Sequence, residues 1–379
     1  MNPTISTIDL LQLASGDSLS LQVYRFIGAN PGKKVYLQAN LHGCEIVGNE
    51  VIYQLIEFLR TLKPDRINGE ICLVPVCNPL ATNQRTHFFS TGRFNSYDGK
   101  DWNRIFWDYE KEAENLDLLA KSYFKLEPKE IEIQYLQEIK TAFLKEKEEL
   151  QTQKNAPYNK HYRYRLQSLC LDANYVIDIH SSSNQGTDYI YCFQTREDSA
   201  KYFLIERGIL MTQYDGDAFD EAFLKPWLAL EKELALLGRK IKLDRESWTL
   251  ELGSGMDINT KSVEKGIKGI KNYLVAKGLI TLEKYQLLSR EIKLFEKNNI
   301  AKYYAPRGGT VRNRVSLGTY VKAGEIIYQI LSFNKKRELP AIIEIRAIEN
   351  GLVFDCATNK AVNQGEYVLS IMNDERSPN

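Results

Sequence analysis

Histidine is scarce in this sequence, with four in 379 residues. An excess of either charge is missing too: 50 Lys and Arg face 49 Asp and Glu, for a net charge of +1. That balance gives no reason to expect nucleic acid or an anionic membrane surface as a partner. No apolar run approaches the length needed to span a bilayer. The opening residues, Met1-Asn2-Pro3-Thr4-Ile5, lack a basic segment followed by an apolar one, so no secretory signal is expected. The six cysteines (Cys44, Cys72, Cys77, Cys170, Cys192, Cys356) include no C-x-x-C pair, and most lie in apolar, strand-like surroundings. They read as small buried hydrophobes, the reduced thiols of a cytoplasmic protein.

A chain of this length can bury a large core and favours two domains over one. Residues 1–299 alternate between strand-like and helix-like segments. Strands are predicted at 35–39, 71–76, 175–179, 188–193 and 248–252, and helices at 46–62, about 218–238 and about 262–299. Residues 109–150, rich in Glu, Lys and Leu, read as helices with a solvated face, inside an insertion of about 109–165. This alternation predicts an α/β fold: a mixed, mainly parallel sheet flanked by helices on both faces. Near residue 300 the character changes to short strands and glycine turns. Gly309-Thr310-Val311 leads to Val321-Lys322-Ala323-Gly324-Glu325 and on to Ile330. Gly351-Leu352-Val353 leads likewise to Val362-Asn363-Gln364-Gly365-Glu366 and Ile371. Two similar halves predict a small β-sandwich built by quasi-twofold duplication, over residues 300–379.

Two short segments sit at the ends of predicted buried strands: Leu41-His42-Gly43-Cys44-Glu45, and Asp178-Ile179-His180. Open α/β sheets place ligands at strand ends. Catalytic zinc takes three nitrogen or oxygen ligands and keeps one position open. His42, Glu45 and His180 supply that set. A spacing of three brings His42 and Glu45 together on a tight turn or a first helical turn, and Gly43 lets the chain turn sharply. Asp178, two residues before His180 on a strand, shares its face and can orient it. The other histidines, His87 and His161, fall in polar, loop-like stretches and are assigned no role. In Asp101-Trp102-Asn103-Arg104, the adjacent Asn103 and Arg104 make a fork of donors suited to a carboxylate. Glu251 falls on a strand expected to be buried, where an ionisable group is costly unless paired or functional.

Taken in order, H-G-x-E, N-P-x-A (Asn78 to Ala81), G-R-F (Gly92 to Phe94), D-x-N-R-x-F (Asp101 to Phe106), D-x-H and T-x-E-L (Thr249 to Leu252) resemble the succinylglutamate desuccinylase/aspartoacylase family. That family is a branch of the zinc carboxypeptidase-like hydrolases. The resemblance implies one zinc ion held by His42, Glu45 and His180, with Glu251 as general acid/base. It implies that Arg93 polarises the scissile carbonyl and that Asn103 and Arg104 grip a substrate carboxylate. Arg85 also precedes the D-x-N-R segment, and Cys44 and Trp102 fill variable positions. The activity implied is a zinc-dependent amidohydrolase that cleaves a small N-acyl amino acid. A carboxypeptidase-like peptidase acting on short peptides is the alternative, and a homo-oligomer is compatible with either. A catalytically silent binding module would show a lost ligand or base, and none is lost. The insertion departs from compact members of the family and bears on substrate size.

Many members also end in a β-rich domain. Residues 300–379 resemble the lipoyl/biotinyl barrel-sandwich fold, and Ala341-Ile342-Ile343-Glu344-Ile345-Arg346-Ala347 looks like the strand that follows a carrier lysine. Pro340 stands where that lysine belongs, and Lys335 and Lys336 are out of register. The expectation is the fold without the swinging-arm chemistry.

Overall fold

The computed structural model of the chain describes residues 1–85, 90–113, 115–152, 156–214, 216–333, 335 and 337–374. His87 and Lys336 lie outside these. The strands before residue 300 are β1 (Thr4–Gln12), β2 (Ser18–Ile27), β3 (Asn30–Ala39), β4 (Asn68–Val74), β5 (Tyr175–Ser182), β6 (Gln185–Gly186), β7 (Tyr189–Phe193), β8 (Arg207–Met211), β9 (Glu246–Ser254) and β10 (Lys293–Glu296). All but β6 form one nine-stranded sheet in the order β1-β2-β4-β3-β5-β9-β7-β8-β10. At its centre β4, β3, β5 and β9 run parallel. The β1–β2 hairpin extends one side antiparallel, and β7 turns antiparallel against β9 before β8 and β10 follow it in parallel.

The helices are α1 (Val47–Thr61), α2 (Pro79–Asn83), α3 (Leu116–Tyr123), α4 (Pro128–Thr152), α5 (Tyr158–Gln167), α6 (Glu197–Ala200), α7 (Phe219–Leu236) and α8 (Thr260–Ala276). The two-residue period of a strand sorts side chains between the two faces of the sheet. Val35, Leu37, Ala39, Ile177, Ile179, Trp248, Leu250 and Leu252 enter one core with residues of α1 and α8. Tyr36 and Val176 enter the other, with residues of α5 and α7. Each such aliphatic side chain, fully buried, contributes roughly 1.5–3 kcal/mol. Asp178, His180, Thr249 and Glu251 take the alternate positions, so they belong to the α7 face. Gly48 brings the first turn of α1 directly onto the sheet: an added Cβ there would lie 2.6 Å from Ala39 Cβ.

The third predicted helical block is too long. α8 ends at Ala276, because Gly278 takes φ +73° and donates its N–H to Val275 O at 3.0 Å, closing the helix. Apolar residues beyond it keep a roughly helical spacing, yet β10 pairs in parallel with β8. His161 lies on α5 and not in a loop. The insertion carries α3, α4 and α5, and α4 buries Ile131, Tyr135, Ile139 and Phe143 while its opposite face is solvated.

From residue 300 the strands are β11 (Ile300–Tyr304), β12 (Gly309–Arg312), β13 (Tyr320–Val321), β14 (Ile326–Ser332), β15 (Ala341–Arg346), β16 (Gly351–Cys356), β17 (Ala361–Val362) and β18 (Tyr367–Asn373). They form two antiparallel sheets. The sequence repeat maps β12-β13-β14 onto β16-β17-β18. β12 pairs with β14 and β17, while β16 pairs with β18 and β13, so each half lends its short strand to the other. The matching turns use Gly324 and Gly365 at φ +83° and +85°. β6 adds to this region by pairing with β16. Among the described residues no helix is long and apolar enough to cross a membrane.

Candidate active site

β3 ends at a bend made by Asn40, whose φ is +67°. Its Nδ2 donates to His42 O at 3.0 Å and to Gly43 O at 3.1 Å, folding the His42–Glu45 turn before α1. The reason for glycine at 43 is close approach rather than a special φ. An added Cβ would lie 2.1 Å from Ala81 O, on α2. Asn78 holds that neighbour in place: it caps α2 by accepting from Ala81 N at 3.1 Å and donates to Leu41 O at 2.9 Å.

This turn meets the end of β5. His42 Nδ1 stands 2.9 Å from Glu45 Oε1, and His180 Nδ1 stands 2.7 Å from Glu45 Oε2. Ser183 Oγ donates to Glu45 Oε1 at 2.8 Å, and the Ser181 N–H reaches Oε2 at 3.4 Å. All three residues are buried, and one possible ligand atom from each lies within 4.8 Å of the others. The outward nitrogens are held by carboxylates. His180 Nε2 is 2.9 Å from Asp178 Oδ2, and His42 Nε2 is 3.1 Å from Asp101 Oδ1. Each imidazole therefore turns Nδ1 inward and is braced from behind, as metal-binding histidines commonly are.

The electrostatics fit a bound cation. Burial alone would push the Glu45 carboxyl up, but the two imidazoles outweigh it and hold it far below the usual carboxylate range. Burial would lower both histidines, but Asp178 and Glu45 raise His180, and Glu45 and Asp101 raise His42. Two nitrogens and one carboxylate oxygen are also the donor types zinc takes.

Glu251 pairs in register with His180 on one side and Tyr189 on the other. Its Oε2 is buried and has no hydrogen-bond partner among the described residues. Burial, opposed by His180, pushes its carboxyl up to about 7. Arg93 Nε sits 3.0 Å from Asp101 Oδ2, and its Nη1 donates to Ser183 Oγ at 3.4 Å. Asn103 Oδ1 accepts from Phe219 N at 2.8 Å, at the start of α7, which leaves its amide N–H groups as donors. Arg104 is exposed and donates to Asn103 O.

One cavity of about 490 Å³ is lined by all seven residues singled out in the sequence: His42, Glu45, Arg93, Asn103, Arg104, His180 and Glu251. Arg85 is turned toward Thr82 O and Gln84 O and does not line it. Sequence reasoning missed several neighbours. Asp101 was visible only as the first letter of D-x-N-R, although it bridges His42 and Arg93. Lys297 and Lys302 reach the cavity from the segment around β11, and Asp220 and Tyr191 line its wall. Nothing in their local sequence marks them, because only the tertiary fold brings them there.

Comparison with known proteins identifies relatives of the whole chain. The description of the succinylglutamate desuccinylase/aspartoacylase catalytic domain matches residues 31–276. A provisionally named succinylglutamate desuccinylase/aspartoacylase from Shewanella frigidimarina shares 27% identity and a TM-score of 0.88, covering 99% of this chain and 98% of its own. A provisionally assigned family protein from Shewanella amazonensis shares 29% identity and a TM-score of 0.85, covering 97% and 98%. The ectoine utilization protein EutE (DoeB) of Ruegeria pomeroyi shares the fold at 15% identity and a TM-score of 0.68, covering 98% and 95%. Among curated proteins no significant match is found. The chain belongs to the succinylglutamate desuccinylase/aspartoacylase family.

Proposed function

We propose that the chain is a zinc-dependent amidohydrolase that cleaves the amide bond of a small, carboxylate-bearing N-acyl amino acid. The observation that carries this is the convergence of His42 Nδ1 and His180 Nδ1 on the two oxygens of Glu45, with a carboxylate behind each ring. His42, Glu45 and His180 would hold one zinc ion, which when bound acidifies water and polarises a carbonyl.

The remaining work falls to the chain's own side chains. Glu251, with a free carboxylate oxygen in the cavity wall and a carboxyl poised at about 7, takes a proton from water as hydroxide attacks the amide carbon. It then delivers that proton to the departing nitrogen, giving a carboxylate and a free amine. Arg93, anchored through Nε to Asp101 and through Nη1 to Ser183, keeps Nη2 for the charge that develops on the carbonyl oxygen. Arg104 and the amide of Asn103 fix the substrate carboxylate at the same cavity.

Residues 1–299 would form the catalytic domain, with the insertion at its rim, and residues 300–379 a β-rich second domain. Six free, buried cysteines support a reducing, cytoplasmic setting. The test is metal analysis of the full chain and of His42→Ala, together with hydrolysis assays on N-acyl amino acids and dipeptides. One zinc per chain, lost in the variant, and turnover of an N-acyl amino acid are expected. A parent protein without zinc, or a variant that keeps it, overturns the proposal. Preference for dipeptides would move the activity to the peptidase alternative.

A further inference from the structure

The turn that follows His180 is held from two sides. On one side the Ser181 N–H and Ser183 Oγ reach the two oxygens of Glu45, and Ser183 Oγ also accepts from Arg93. On the other side the same turn is fastened to the β-rich region. Ser182 Oγ donates to Asp355 Oδ2, and β6 pairs with β16 at Gly186 and Gln185. The Thr187 N–H donates to Phe354 O at 2.9 Å. The turn also touches the β9 end: Gly255 N donates to Ser182 O at 2.6 Å, and Gly186 N donates to Ser254 Oγ at 3.1 Å.

Asp355 has an unusual position. Each of its oxygens accepts from a hydroxyl, Ser182 on one and Tyr367 on the other. Among the described residues no Lys or Arg forms an ion pair with it. Drawing a carboxylate out of water is costly, and burial pushes its carboxyl up, opposed by the Ser182 and Tyr367 hydroxyls and by the charges of Lys302 and Arg314. What the carboxylate adds is a directional grip on Ser182, between the two serines that face Glu45. Space is tight there as well: a Cβ on Gly186 would lie 2.7 Å from Ser182 Cβ.

We propose that Asp355 is a positioning residue for the metal site, acting through Ser182 to hold Ser181 and Ser183 against Glu45. The β-rich region is then part of what orients the carboxylate ligand, although it supplies no ligand itself. This rests on the zinc reading above, and the test separates the two. Zinc affinity of the full chain is measured by competition with a chromophoric chelator, and the visible spectrum is recorded after Co²⁺ substitution. Thermal unfolding of each metal-free protein establishes that it is folded.

Asp355→Ala and Ser182→Ala should each weaken zinc binding about tenfold, the double variant no more than either alone, and Asp355→Asn should stay within about threefold of the parent. The Co²⁺ spectrum should change in the alanine variants and be restored in Asp355→Asn, which keeps an acceptor for Ser182. Tyr367→Phe, which leaves the Ser182 contact in place, should match the parent. Folded Ser182→Ala or Asp355→Ala with parental affinity and spectrum overturns the proposal. Should Asp355→Ala fail to fold, the comparison of Ser182→Ala with Asp355→Asn decides. A parent chain that binds no zinc would sink the hydrolase reading and this inference with it.

Discussion

Asp101 Oδ1 stands 3.1 Å from His42 Nε2. The other oxygen of that carboxylate holds Arg93, so one acid orients both a proposed ligand and the proposed carbonyl-polarising cation. Asp101→Ala should therefore weaken zinc binding about 10–100-fold and also lower kcat at saturating zinc. Asp178→Asn should affect the metal and leave Arg93 in place, so its activity should recover when zinc is in excess. His161→Ala, on α5, should match the parent in both assays. Chelator competition and steady-state kinetics check all three.

Glu251→Gln should lower kcat by about 10²–10⁴-fold while zinc is retained. The same change should stabilise the metal-free protein at high pH. The folded carboxyl, at about 7, holds its proton more tightly than the ordinary value of 4.5. Its contribution to stability is full below 4.5 and is lost as pH rises through about 7. Glutamine does not ionise, so at pH 8 the gain should reach up to about 3 kcal/mol. Denaturant unfolding at pH 5 and pH 8 measures it; an equal effect at both values would contradict the burial argument.

Zinc affinity should rise with pH. In the metal-free chain the imidazoles of His42 and His180, the proposed ligands, are raised above their ordinary range by the carboxylates around them. Protons therefore compete with metal to a higher pH than free histidine would allow, and each proton displaced changes the apparent affinity roughly tenfold per pH unit. For the metal-free fold the sign is opposite. The stabilisation from these charged imidazoles is full below about 6.5 and is lost as pH rises through the raised folded values. Competition titrations and thermal unfolding between pH 6 and pH 9 test both slopes, and a flat zinc affinity would refute the first.

The two cavity arginines should separate kinetically. Arg93→Ala removes the donor proposed to face developing charge and should lower kcat about 10²–10³-fold. Arg104→Ala removes a proposed grip that substrate and transition state would feel equally, so KM should rise with kcat nearly unchanged. Steady-state kinetics on one N-acyl amino acid suffices, and identical profiles for the two variants would exclude these roles.

The parts legible in the sequence are those whose signal is local. β5 and β9 announce themselves through buried apolar residues at alternate positions, Ile177 and Ile179 on one and Trp248, Leu250 and Leu252 on the other, and His180 and Glu251 are conspicuous as polar residues set among them. The His42–Glu45 spacing is legible for the same reason. Asp101 was not, because its role depends on a loop returning 59 residues later to meet His42. Lys297 and Lys302 were hidden because they sit in solvated sequence and approach the cavity only through the path of β10 and β11. The β1–β2 hairpin escaped notice although β2 alternates Leu19, Leu21 and Val23 with polar residues, a two-residue period that marks a half-buried strand. The segment after Gly278 misled because regular apolar spacing persists where the helix has already been capped.

The exchange of β13 and β17 between the two repeats interlocks the C-terminal region. Severing the chain anywhere between residues 333 and 350 would leave two fragments, each missing a strand that only the other can donate. Neither piece could close its own sheet, so the two repeats must melt together as a single cooperative unit.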